Sequence, residues 1–341
     1  MKTILIKTLQ ILFAFGLAAF IIWWSIHELT AQDKADIQLA FTNANYIYVI
    51  PVIILLFISN CLRAGRWQQI IAPLGAKPPF KDLLFGLMLG YAANQFIPRA
   101  GELLRCTVIA KKHPVTVAQL VGTVIIERSL DLLCFAILAI IVFFIEYTQI
   151  HAYAIEIFQG VALKWQNNSS PLVILGYLCI FMLLIAAYRF LKKRYSKKQF
   201  FLFKIFRGIA EGLASIKHVP NKPLFIIQTV LLWVVYILAT WLGCFAFTET
   251  AHLSIGTAMV LLVSGTLGII IAPGGLGAYP YAIQKTLVLY SITKNIGLAF
   301  GWLLWMVQFL FTITFGIIAF IALNSKTKAH AQHKHHTAKN T

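Results

Sequence analysis

Residues 94–105 read NQFIPRAGELLR and follow the apolar run LLFGLMLGYA at 83–92. A membrane helix that began at Leu83 should continue or stop at a loop, yet here a proline, a glycine and three charged side chains, Arg99, Glu102 and Arg105, arrive within twelve residues. Pro98 suits the first turn of a new helix, since its missing amide hydrogen would be unpaired there and its fixed φ is already helical. Arg99 and Arg105 would then flank a positive helix end, a place that favours an anion such as a lipid phosphate. Glu102 would pair with Arg105 at i,i+3. The blander reading is an interfacial segment whose long side chains snorkel to water.

The rest of the chain says what surrounds this stretch. Of its 341 residues 60% are hydrophobic and 12% charged, well above the roughly 45–50% apolar content of a soluble domain. An all-α polytopic membrane protein follows, with residues 1–324 as a single integral membrane domain and 325–341 as a disordered, basic, His-rich cytoplasmic tail. The formal charge of +18 sits on residues that flank apolar spans, which suits an anionic membrane surface and excludes nucleic acid as the partner. Cys61, Cys106, Cys134, Cys179 and Cys244 lack CxxC spacing and read as buried hydrophobes.

Apolar runs cover about 9–26, 47–62, 83–97, 117–147, 171–190, 223–248, 254–272, 278–291 and 296–323. The first resembles a signal peptide but is too long and lacks a small-x-small cleavage site, so it is expected to remain as a span. Arg63, Arg66, Lys77 and Lys81 mark one cytoplasmic loop, 189–222 a second and the basic tail a third, while Glu28, Asp33 and Asp36 suit the outside. If 83–97 crossed fully, Lys111 and Lys112 would lie outside and the weakly charged loop after residue 147 would lie inside. A re-entrant hairpin over 83 to about 115 removes the contradiction. Residues 254–291, broken by APGGLGAYP, form a second hairpin entering from the opposite face. The expected architecture is therefore about six full spans plus two re-entrant helical hairpins in an inverted repeat, both termini cytoplasmic, with a site where the half-helix ends meet.

Two further constellations could carry chemistry. In ERSLD, Glu127, Arg128 and Asp131 share one face of a long apolar helix. Charges there cost at least about 2.5–3.5 kcal/mol each, so they should face the bundle interior and pair, Arg128 with Asp131 and Glu127 with Arg99 or Arg105. A purely structural clasp between helices stays open. In PGGLG, Gly274, Gly275 and Gly277 leave amides open to a phosphate, or simply make a tight turn. The segment 200–219 has the spacing of an amphipathic helix lying on the inner leaflet. No HExxH, GxSxG or Walker A pattern occurs, so no catalytic residue, metal ligand or cofactor is expected. A membrane-embedded transferase would have only Glu102 or Asp131 as a general base.

Asn94, Pro98, Gly101, Glu102 and Arg105, then Glu127, Arg128 and Asp131, then PGGLG before a late span, resemble in that order the flippase-like transmembrane region of bacterial lysylphosphatidylglycerol synthases. The resemblance covers nearly the whole chain and has many stand-alone members. After the glycine motif, where members often carry a glutamate, this chain reads AYPYAIQ with Gln284. The resemblance implies lipid translocation, or a membrane module accompanying lipid modification. The residues themselves point to an anionic lipid headgroup moved across the cytoplasmic membrane, with Asn94 and the charged and glycine residues above as the substrate site. The resemblance implies no aminoacyl transfer, because that activity belongs to a soluble domain absent from this sequence. The alternative is a non-catalytic subunit that docks a partner in an envelope-modifying system. Self-association into a homo-oligomer stays open.

Overall fold

A computed structural model of the protein describes residues 29–97, 100–147 and 219–337, besides a few isolated positions before residue 29, with side chains up to residue 323. Most of the first apolar run, the run at 171–190, nearly all of the amphipathic segment at 200–219, Pro98 and Arg99 lie outside the described residues. Among the described residues every regular element is a helix and none is a strand. In order they are α1 (Ala31–Asn43), α2 (Val49–Ile71), α3 (Phe80–Phe96), α4 (Ala100–Ala110), α5 (Val117–Ile145), α6 (Lys222–Cys244), α7 (Ile255–Ile271), α8 (Ala278–Val288) and α9 (Lys294–Thr337).

Among the described residues four segments are long and apolar enough to cross a bilayer: Tyr46–Leu74, Val117–Ile145, Lys222–Cys244 and Lys294–Leu323. Their outward faces are apolar, with Ile50, Ile140, Phe144, Leu231 and Ile321 all exposed. Such contiguous apolar surface belongs in lipid, and the protein is a multi-pass, all-α membrane protein. α9 continues through Thr337, so its backbone enters the stretch that composition reads as a disordered tail.

α2 corrects the sequence reading. The expected span ended near residue 62 with Arg63 and Arg66 in a cytoplasmic loop. Instead the helix runs on to Ile71 and stops only at the 3-10 turn Ala72–Leu74, where Gly75 takes a left-handed φ of 78°. Nothing before Pro73 breaks a helix, and both arginines have partners inside the bundle.

The two hairpins match in length. α3 and α7 have 17 residues each, and α4 and α8 have 11 each. Eleven residues reach about 16 Å, roughly half of the ~30 Å hydrocarbon layer. Each hairpin closes on glycine. A Cβ on Gly101 would drive into the carbonyl oxygen of Gly90, and one on Gly268 would meet Ala278 O at 2.8 Å. Asn94 Oδ1 accepts from the Gly101 amide at 2.8 Å, which caps the start of α4. The PGG turn holds Gly274, Gly275 and Gly277 at φ of 59°, 74° and 73°, the left-handed region that glycine enters without strain. The two tips meet, since a Cβ on Gly274 would overlap Gln95 Oε1 at the end of α3. α9 backs both hairpins, and Trp305 Nε1 donates to Gly274 O at 2.8 Å.

Candidate functional site: a buried arginine–carboxylate network

The site grows from helical spacing on α2 and α5. Glu127 and Asp131 lie one turn apart on α5, and Arg63, Arg66 and Trp67 lie within a turn on α2. When the two helices face each other, the carboxylates and guanidiniums interleave. Asp131 accepts from Arg66 Nη2 at 2.6 Å and from Arg63 Nη1 at 2.8 Å. Glu127, which is fully buried, accepts from Arg105 Nη2 on α4 at 2.8 Å and from Arg63 Nη1 at 3.1 Å. Arg66 approaches it at 3.8 Å.

Aromatic rings hold the cations in place. The Arg105 guanidinium lies 4.6 Å from the Trp67 ring centre, and the Trp67 indole donates to Thr123 Oγ1 at 2.9 Å. Arg63 Nε donates to the Tyr236 hydroxyl at 2.6 Å, with the Tyr91 ring 5.9 Å away on α3. Five helices thus share one polar centre in an otherwise apolar bundle. Each ring supplies a partly desolvated cation with favourable quadrupole contact, worth up to about 2 kcal/mol where water is excluded.

The network has a floor and a mouth. Arg66, Arg105 and Glu127 are almost wholly buried. Arg128 and Glu102, by contrast, keep 38% and 34% of their side chains exposed and face each other at 3.4 Å. Arg128 makes no short ion pair: its other carboxylates stand at 3.7 Å and 3.9 Å, and the Tyr91 hydroxyl at 3.5 Å. Four guanidiniums against three carboxylates leave one positive charge in excess among the described residues. Donors are in excess as well. Nε and Nη1 of Arg66, Nε and Nη1 of Arg105 and Nε of Arg128 are buried without a hydrogen-bond partner. A buried, unpaired donor on a charged group is costly, so this arrangement is suited to an acceptor-rich anion.

Of the residues singled out from sequence, Glu102, Arg105, Glu127, Arg128 and Asp131 come together as expected, although the two segments lie far apart along the chain. The expected pairing of Arg105 with Glu127 is present at 2.8 Å. One pairing is corrected, and the Arg128–Asp131 pairing is present at 3.9 Å but is joined by closer partners. Glu102 faces Arg128 and not Arg105, because its neighbour one turn along α4 is already turned inward to Glu127. Asp131 takes Arg63 and Arg66 as its close partners, with Arg128 at the outer limit. Asn94 caps α4. Gly274, Gly275 and Gly277 form the other hairpin's tip, where Gly274 meets Gln95 and Trp305 and Gly275 meets Ile269 and Tyr279. Arg63, Arg66, Tyr91 and Tyr236 are the members that sequence reasoning missed. The one signal for the arginines was the lack of any proline between Cys61 and Pro73. No group of three or more potential metal ligands occurs among the described residues.

A family described as the lysylphosphatidylglycerol synthase TM region matches residues 11–316. The chain belongs to this family. A curated relative, a UPF0104 membrane protein of Methanocaldococcus jannaschii, is 25% identical over 295 residues, which covers 82% of this chain and 86% of the relative. No solved structure gives a significant match.

Proposed function

We propose that the protein moves an anionic, phosphate-bearing lipid between leaflets, as a transporter and not as an enzyme. The carrying observation is the excess of buried guanidinium donors in a network whose part-exposed members are Arg128 and Glu102. An ion in hydrocarbon is prohibitively expensive without compensating partners. Here a headgroup phosphate would take Arg128 from Glu102 and gain charge-assisted hydrogen bonds, while its acyl chains stay in the bilayer. Binding and release become an exchange of partners, in which Arg128 passes between Glu102 and the phosphate. The floor, where Arg63 and Arg66 grip Asp131, joins α2 to α5 and keeps the donors aimed.

The half-length hairpins complete the proposal. With α4 and α8 each spanning about half the bilayer, α3–α4 enters from the cytoplasm and α7–α8 from outside, and their tips meet beside the transported headgroup. Arg99, the residue before α4 in the sequence, enters the same proposal as a second cation for the phosphate. The lysine- and arginine-rich loop from residue 189 and the basic tail support a reading with both termini on the cytoplasmic side of the cytoplasmic membrane.

Reconstitution in phosphatidylcholine liposomes tests this. Fluorescent phosphatidylglycerol and phosphatidylcholine are compared by access to an external quencher. Faster movement of the anionic lipid than in protein-free liposomes supports the proposal. Equal rates with and without protein, under inward and outward proton and sodium gradients, reject it.

A further inference from the structure

A second site lies on the opposite face of α2 from the arginines. Phe57, Ile58, Cys61, Gly65, Gln68 and Gln69 of α2 join Phe80 of α3 and Gln228 of α6 around an open groove of about 400 Å³. No charged side chain lines it. Its walls are apolar, and Phe57, Ile58, Phe80 and Leu224 are exposed on the surface that faces lipid. Its floor is three carboxamides. Gln69 Nε2 donates to Gln228 Oε1 at 2.6 Å, and Gln68 Nε2 donates to Pro78 O at 2.9 Å. That leaves Gln69 Oε1 buried with no partner. Gln228 Nε2 reaches over Gly65, 2.8 Å from where a Cβ would sit, so the floor exists only because residue 65 has no side chain.

Polarity follows depth. Gln68 and Gln69 sit within one turn of the end of α2 at Ile71, beside the starts of α3 and α6. Phe57 and Ile58 lie about 16 Å further along the axis, toward the hydrocarbon. An occupant must therefore be uncharged and hydrogen-bonding at the interfacial end and apolar beyond it. The orphan Gln69 Oε1 is an acceptor and requires a donor. Ester carbonyls accept only, whereas a hydroxyl both donates and accepts. We infer that this groove binds a neutral, hydroxyl-bearing lipid of the diacylglycerol type, with its hydroxyl between Gln69 Oε1 and Gln228 Nε2 and an acyl chain along Phe57 and Ile58.

The test uses the full chain in phosphatidylcholine nanodiscs with a photoactivatable, clickable diacylglycerol, followed by peptide mapping. Labelling within 57–69 and 224–228 is expected, with competition by unlabelled diacylglycerol but not by phosphatidic acid. Gln69→Leu should lower that labelling about fivefold, the worth of one neutral hydrogen bond. Gly65→Leu, which fills the groove, should abolish it. Arg128→Ala should leave it unchanged, so failure of this site and failure of the transport reading are distinguishable. If Gly65→Leu does not fold, the near-isosteric Gln69→Leu decides. Labelling outside these peptides, equal competition by phosphatidic acid, or undiminished labelling in Gln69→Leu would overturn the inference.

Discussion

Arg66 and Arg128 both face Asp131, yet they do different work. Arg66 is fully buried and touches Asp131 at 2.6 Å, whereas Arg128 is part-exposed and stands at 3.9 Å. Removing one partner of a buried pair strands the other charge and costs about 3–5 kcal/mol, while removing both costs less than the sum. Thermal unfolding in detergent should therefore show strong coupling between Arg66→Ala and Asp131→Ala. Between Arg128→Ala and Asp131→Ala the two losses should nearly add. Equal coupling in both cycles would mean that the floor and the mouth are not distinct. The ERSLD triad is legible in the sequence because three charges inside a 29-residue, otherwise uncharged and mostly apolar helix have no other reason to be there. Arg63 and Arg66 are not, since basic residues after an apolar run are also what a cytoplasmic loop presents. Only their partners, 64 or more positions away, distinguish the two.

At the level of elements, the glycines of the first hairpin set how closely α3 and α4 approach. Gly101→Ala would push a methyl group into the Gly90 carbonyl, which is backbone and cannot rotate away. The expected cost is about 2 kcal/mol or more, with Arg105 displaced from Glu127. Gly122 on α5 has nothing within 4 Å of its absent Cβ, so Gly122→Ala should instead stabilise by up to ~1 kcal/mol through helix propensity. Opposite signs in the same melting assay check both. The hairpins are legible as breaks, because Pro98, Gly101 and the PGGLG run interrupt apolar segments too short to span in pairs. That their tips touch through Gln95 and Gly274 is a long-range packing fact with no local signature. For the proposed re-entry, a single cysteine at Lys111 should react with a membrane-impermeant reagent only from the cytoplasmic side. Reaction from outside would mean that α3 and α4 cross.

Across the whole molecule, α9 ties the two hairpins together and α1 docks at its start. Asn295 of α9 donates to Asp33 Oδ1 at 2.8 Å and to Asp36 Oδ2 at 3.1 Å, while Thr30 and Asp33 cap α1 reciprocally. The Asn295 amide first, and the Thr30 amide and hydroxyl after it, hold the Asp33 carboxyl below its ordinary range. A carboxyl lowered in the folded state adds stability above its unfolded range, near pH 4, and loses it as pH falls through the folded value. Acidification should therefore loosen α1 from α9, seen as lower protection against hydrogen exchange in residues 31–43 once the intrinsic pH dependence of exchange is divided out, and Asp33→Asn should remove that change. Protection that is unchanged by acid would contradict the docking. In the proposed transport, Arg128 exchanges Glu102 for a phosphate at the mouth of the network. The most direct measurement is the initial rate of phosphatidylglycerol movement in liposomes reconstituted with equal amounts of wild type, Arg128→Ala and Glu102→Gln protein. The account predicts a rate about tenfold or more lower for Arg128→Ala, the loss of charge-assisted hydrogen bonds. For Glu102→Gln, which frees Arg128, it predicts half-saturation at lower lipid content. An Arg128→Ala protein that folds and moves the lipid as fast as wild type would contradict it.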